Sequence, residues 1–424
     1  MPVDDEPIDL VRDGWRHVQL QRPLAAWACW QRALRIAPGH PAAAEALAVL
    51  AAADDLPAAA RATYRFRSPR GEECRHRWDA ALKGRDLADL GDAALAFAAI
   101  ADEAPDADAL HSLALCLAWA GRNAEAVDAL GGSVDLDAEA RPDVAASAWL
   151  LAEVLRLGAG AEQLADDHDH ALIVDWPDGD PASLGHLRPL PIEGESTPRA
   201  YEWLDRPIPP VEAARSAADL PRVLASVVRS VGTLRVSTPD PRGPLDAELA
   251  ITAAYPDRPI ARESRPLPLR LADADAWRVR LPTGLEPEPR RRLAREAIES
   301  YYESTWINLP RLGLDGLSPR DASTGGHVLR AKLLGVIAFR EQLADRALVA
   351  PIAAGYPFDR LRRRLGLAPR DEFILAEVDP TMMGLDELRR LDPSTLDPSR
   401  RAEAAAASIA LGDPANAQRL QGPP

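Results

Sequence analysis

Apolar positions in the first 160 residues fall at helical spacing, and a longer period organises them. In the stretch A-W-A-C-W-Q-R-A-L-R-I-A-P over 26–38, small residues stand at relative positions 0 and 7 (Ala26, Ala33), an aromatic at 4 (Trp30) and proline at 12 (Pro38). Small residues let two helices approach, the aromatic fills the gap to the next helical pair, and proline ends the helix. Ala60 with Tyr64, Ala93 with Phe97 and Ala126 with Leu130 repeat the pattern at intervals of 34, 33 and 33 residues, and Pro105 follows Ala93 as Pro38 follows Ala26. Gly14 and Ala114 supply the small positions of first helices, and Gly121 marks a turn. The pattern predicts helical pairs at 7–40, 41–73, 74–106 and 107–140, then a helix at 143–158. Arg67 departs from it, standing where a small residue is expected.

Beyond residue 160 the texture changes. The apolar run ALIVDW at 171–176 predicts one short strand inside a proline-rich linker spanning 161–215. Leu220, Val223, Leu224, Val227 and Val228 predict a helix over 220–231, while TLRVS (233–237), LPLRL (267–271) and WRVRL (277–281) predict strands. Residues 216–283 are therefore read as a small α+β region. Helices over 287–306 and 326–346 form a helical subdomain at 284–346. The region 347–424 is read as helical, with RLRRR at 360–364, DEFILAEVD from Asp371 and an alanine-rich last hairpin beginning at 400–411. The fold class is mainly α.

The small, aromatic, small, proline order at one period resembles the tetratricopeptide repeat. That resemblance implies an α-solenoid over 1–160 whose first helices line a peptide-binding groove. Counting from the repeat starts, Trp15, Trp78, His111 and Trp119 are the candidate partner-binding residues, with Asp106 and Asp108 at the opening of the fourth pair. An acidic, aromatic groove favours a protein or peptide partner with a basic segment, through charge and cation-π contact. A second stretch, Trp306, Pro310, Leu314, Gly316, Ser318, Pro319, Asp321 and Ala322, runs W-x3-P-x3-L-x-G-x-S-P-x-D-A. It resembles the toxin-binding domain of the Xre/MbcA/ParS antitoxins, which implies a protein-contact subdomain with Trp306 as a candidate contact. Ser318 before Pro319 is a helix entrance by its chemistry.

Charge narrows the partner. The net charge is -15, and the excess is N-terminal: 101–180 carries 18 acidic and 3 basic side chains. Such a field repels a phosphate backbone, so nucleic acid is disfavoured as a partner of the first half. Three widely spaced cysteines (Cys29, Cys74, Cys116) argue against a disulfide framework, and the acidic N-terminus with no long apolar run argues against secretion or a membrane partner, so a cytoplasmic protein is expected. No G-x-S-x-G, G-x-G-x-x-G or P-loop pattern occurs, so no catalytic residue, cofactor or metal ligand is assigned. The expectation is a non-enzymatic scaffold or adaptor, its oligomeric state left open. The alternatives are an antitoxin-like regulator and a metal-dependent enzyme with its site in 165–330, near the Asp166, Asp167, His168, Asp169, His170 cluster.

Overall fold

The computed structural model describes residues 6–67, 87–156, 158, 168–176, 181–190, 199–238, 243–266, 278–344, 356–367, 380, 385–410 and 413–421. Among these the protein is mainly helical, with sixteen α-helices and one six-stranded antiparallel sheet. No helix among the described residues is long and apolar enough to cross a membrane. The chain divides into two compact units, one of Met1–Leu164, Pro310–Gln342 and Pro357–Pro424, the other of Ala165–Leu309 and Leu343–Tyr356.

The first unit opens with α1 (Glu6–Gln19) and α2 (Pro23–Ile36), an antiparallel pair joined by a tight turn. Trp30 of α2 is buried directly over Gly14 of α1, where any Cβ would collide with the indole. The contact lies within the pair, where the spacing assigns the aromatic to the gap beyond it; Trp30 also shares a buried cluster with Ala46 and Leu50 of the following helix. Next come α3 (Pro41–Ala52), α4 (Ala58–Arg61), α5 (Leu87–Glu103), α6 (Ala107–Trp119), α7 (Asn123–Asp137) and α8 (Pro142–Arg156). Asp106 caps α6 by accepting from the amides of Asp108 and Ala109, both at 3.0 Å. Gly121 takes a left-handed backbone (φ 79°) in the turn to α7.

Two features depart from a simple run of pairs. The helix expected over the second half of 41–73 stops at Arg61, and residues 62–67 are extended. The first half of the third pair, with Trp78, lies outside the described residues. With α4 reduced to one turn, the first pair meets the fourth through Trp27 and Trp119, 5.7 Å apart between ring centroids, and reaches the end of α8, where Arg22 Nε donates to Gly158 O at 2.8 Å.

The later segments of this unit are α11 (Pro319–Ser323), most of α12 (His327–Ala344), α13 (Phe358–Arg364), α14 (Leu385–Arg390), α15 (Pro398–Ala410) and α16 (Pro414–Gln421). Ser318 caps α11, its Oγ accepting from Asp321 N at 3.2 Å, and Gly316 is left-handed (φ 79°), as a leucine-x-glycine turn requires. Gly313 packs against the Glu153 carboxyl and its carbonyl accepts from Trp149 Nε1 at 2.8 Å. Where α12 crosses α8, a Cβ on Gly335 would stand 2.7 Å from Ala146 O. Helices α15 and α16 form the expected last hairpin, closed by Ala404, Ala405, Ala417 and Leu420.

The second unit is built on β1 (His168–Asp175), β2 (His186–Leu190), β3 (Ala200–Leu204), β4 (Val223–Ser230), β5 (Thr233–Thr238) and β6 (Ile260–Pro266), ordered β2-β3-β4-β5-β1-β6. Leu172, Val174, Trp203, Val227, Leu234 and Val236 share one face, covered by α9 (Gly243–Ala254) through Ala247 and Ile251. Three strands thus come from 161–215, where one was expected in a linker. The helix expected over 220–231 is strand β4 instead: Val223, Ala225 and Val227 are buried while Leu224 and Val228 are exposed, so the valine-rich run follows period two. Strand β6 and helix α9 were not expected. The strand expected at 267–271 and the stretch from Asp371 to Asp379 lie outside the described residues. Of 277–281, only Val279 forms an isolated bridge, with Arg222. The helix expected over 287–306 is α10 (Pro287–Ser300), followed by a wide turn at Tyr301–Thr305 and a short 3-10 turn at Trp306–Asn308.

Candidate functional site

The extended strap 62–67 lies across α6 and α8. Helix α4 delivers it, Tyr64 Oη donates to Ala59 O at 2.8 Å, and Arg65 reaches the Ala407 carbonyl at 3.0 Å. Phe66 sits among aromatics, 5.3 Å from Phe97 and 5.2 Å from Trp119, edge to face with the latter. Arg67 then enters a polar pocket formed by the first turn of α6, the end of α7 and the start of α8. Its guanidinium lies 3.2 Å from Asp137 and 3.7 Å from Asp108, and donates to Val144 O at 3.3 Å. Ser112 Oγ stands 3.3 Å from the Arg67 carbonyl. Arg141 closes the rim, bonded to Asp137 at 2.7 Å and Asp108 at 3.0 Å.

The pocket holds two guanidinium groups and two carboxylates, Arg67 and Asp137 buried and Arg141 and Asp108 partly exposed at its rim. Burial pushes Arg67 down to about 10, partly offset by Asp108 and Asp137, so it remains charged at neutral pH. Burial raises the Asp137 carboxyl, against the pull of Arg141 and Arg67. His111, one residue from Ser112 on α6, is buried and held well below its ordinary value by desolvation and by the Arg67 and Arg141 charges. It is therefore a neutral imidazole in the fold.

That neutrality has a pH signature. Below about pH 6.5 the unfolded chain protonates His111 and the folded chain does not, so stability falls as pH falls, by up to about 1.4 kcal/mol per pH unit. His17, half-buried and also shifted down by burial, acts in the same direction. Urea unfolding between about pH 7.5 and 5.5 is expected to give a falling midpoint for the natural chain and a flatter profile for His111→Gln. Equal profiles would place a charged or solvated histidine there.

The sequence-derived candidates scatter. Trp15 is 41% exposed and lies against Trp30, ring centroids 5.1 Å apart. His111 and Trp119 are buried, the latter beneath Phe66 and Trp27, so neither presents an open surface. Trp306 is wholly buried in the second unit, 6.0 Å from Tyr302, which itself stacks on Tyr356. Trp78 lies outside the described residues. Phe66, Arg67, Asp137 and Arg141 were not among the candidates. Arg67 alone left a signal, as the wrong residue at a small position.

Other chemistry is less assembled. Among the described residues no group of three or more His, Cys, Asp or Glu is placed to hold a metal. Asp166 and Asp167 lie outside those residues, and His170 Nδ1 lies 3.3 Å from Ser264 Oγ. Burial pushes the Cys29 thiol up to about 11 and raises Cys116 as well, which removes both as ready nucleophiles. On the sheet, Glu202 is clamped by Arg280 at 2.5 Å and Arg188 at 2.9 Å. Burial alone would raise its carboxyl, but the two guanidinium groups outweigh burial and hold it below the usual range. It is a tie between strands and the segment at 278–281 rather than a poised acid. No protein-family model, curated protein or solved structure matches this chain.

Proposed function

We propose that the chain is a non-enzymatic protein-interaction protein whose N-terminal helical pairs are of tetratricopeptide type. Its recognition face on α6 and α8 takes an extended segment carrying an aromatic and then a basic side chain. The observation that carries this is the chain's own Phe66-Arg67 pair: the aromatic slot and the Asp108–Asp137 pocket hold it as a peptide groove holds a ligand. A partner segment of the same chemistry displaces the strap. Affinity is then set by how often the site is vacated, because apparent binding scales with the fraction of competent molecules.

A fluorescent peptide with the sequence of residues 62–67 tests this on the full chain. Weak binding is expected to the natural chain, and binding at least about tenfold tighter to Arg67→Met, in which the resident segment has lost its charge anchor. Adding Asp137→Asn to that variant should abolish the gain. An Arg67→Met chain with unchanged circular dichroism that binds the peptide no better than the natural one would overturn the proposal.

A further inference from the structure

Helix α6 has a second face. Asp108, Ser112 and Trp119 turn toward the strap, whereas Leu110, Leu113 and Leu117, at i, i+3 and i+7, lie on the opposite side of the helix. There α5 and α7 flank α6 and leave a trough of about 500 Å³. Its floor is the leucine stripe, one wall is Ala94, Leu95 and Ala98 of α5, and the other holds Glu125, Asp128 and Ala129 of α7. Leu95 is 69% exposed, an unusual place for a leucine beside other apolar side chains. Every lining stripe has helical spacing, and the small residues of the α5 wall leave room for a helix backbone to approach.

Charge selects among possible occupants. Between Leu87 and Asp137 there are ten acidic side chains, of which Asp108 and Asp137 belong to the strap pocket, and one basic, Arg122. Arg122 is already bonded to Glu125, while Asp128 on the same wall makes no ion pair among the described residues. We infer that this trough is a docking surface for an amphipathic helix of a partner protein, with apolar residues at i, i+3, i+4 and i+7 flanked by Arg or Lys. Anionic membranes and acidic helices are disfavoured by the same field. The surface is separate from the strap, so its test does not depend on displacement of Phe66 and Arg67.

The probe is a labelled helix-forming peptide of leucine and lysine with leucines at those spacings, titrated into the full chain at low and raised salt. The expected result is saturable binding that weakens with salt, is absent for the same composition in scrambled order, and is absent for the glutamate analogue. Leu95→Lys and Asp128→Lys, both at exposed positions, should each weaken it at least about tenfold (about 1.4 kcal/mol) without changing the circular dichroism. Equal binding of the scrambled peptide, or no effect of either substitution, would overturn the inference. So would a dimer of the natural chain that Leu95→Lys dissociates, since the occupant would then be a second copy.

Discussion

Asp137→Ala is expected to lower the unfolding free energy by about 3–5 kcal/mol, whereas Arg67→Met should cost no more than about 1–2 kcal/mol. The asymmetry follows from what each substitution leaves behind. Without Asp137, Arg67 stays buried with Asp108 at 3.7 Å and the Val144 carbonyl as its polar neighbours, a cation held far from water. Without Arg67, Asp137 keeps both contacts to Arg141, at 2.7 and 3.0 Å, and methionine fills much of the vacated volume. The double replacement Arg67→Met with Asp137→Ala should cost less than Asp137→Ala alone, because both buried charges are gone. Urea unfolding of the four proteins, with the slope checked for constancy, gives the cycle directly. Equal losses for the two single variants would mean that the guanidinium is solvated and that the strap is not anchored by charge.

Trp30→Ala should cost about 3–5 kcal/mol, and Trp15→Ala well under half of that. Trp30 is 1% exposed, its Nε1 donates to Val11 O at 3.2 Å, and its indole occupies the space that Gly14 leaves open. Truncation removes the whole side chain from the middle of the first pair, and Gly14 cannot fill the cavity. Trp15 is 41% exposed and meets Trp30 with its ring tilted by 60°, so alanine there gives up far less buried area. Thermal or urea unfolding checks the ranking, and a larger loss for Trp15 would reverse the assignment of which tryptophan holds the pair together.

The contrast between those two tryptophans explains what was legible in advance. Gly14 and Ala26 belong to one helical pair, where spacing along the chain is spacing in the fold, so the need for small residues there could be read directly, while Trp30, assigned to the gap between pairs, packs both on Gly14 and beside Ala46 and Leu50. Whether a face carrying Trp119 or His111 stays open is decided by the path of 62–67. That path is fixed by Ala407, Gln342 and Asp137, whose sequence neighbourhoods hold no trace of it. Arg67 was visible as a misfit, yet its acceptor lies 70 residues away at the end of another helix. Strand β4 failed for a different reason: eight residues with five apolar positions satisfy both a helical and an alternating period, and neighbouring strands settle the choice.

The first unit is assembled from three separated lengths of chain, with the second unit's residues between them. On a ribosome, Arg65, Ala59 and Trp149 emerge long before the groups they bond, at Ala407, Gln342 and Gly313. At ordinary elongation rates of about 5–20 residues per second, the interval from Leu164 to Ala407 lasts about 10–50 s. Within it the strands of the sheet unit are completed while the helices that began the chain still lack their later partners. Nascent chains of this protein therefore pass through a period in which Ala59, Arg65 and Trp149 lack the groups they bond in the fold, and truncation before residue 407 would leave the Arg65 contact unmade.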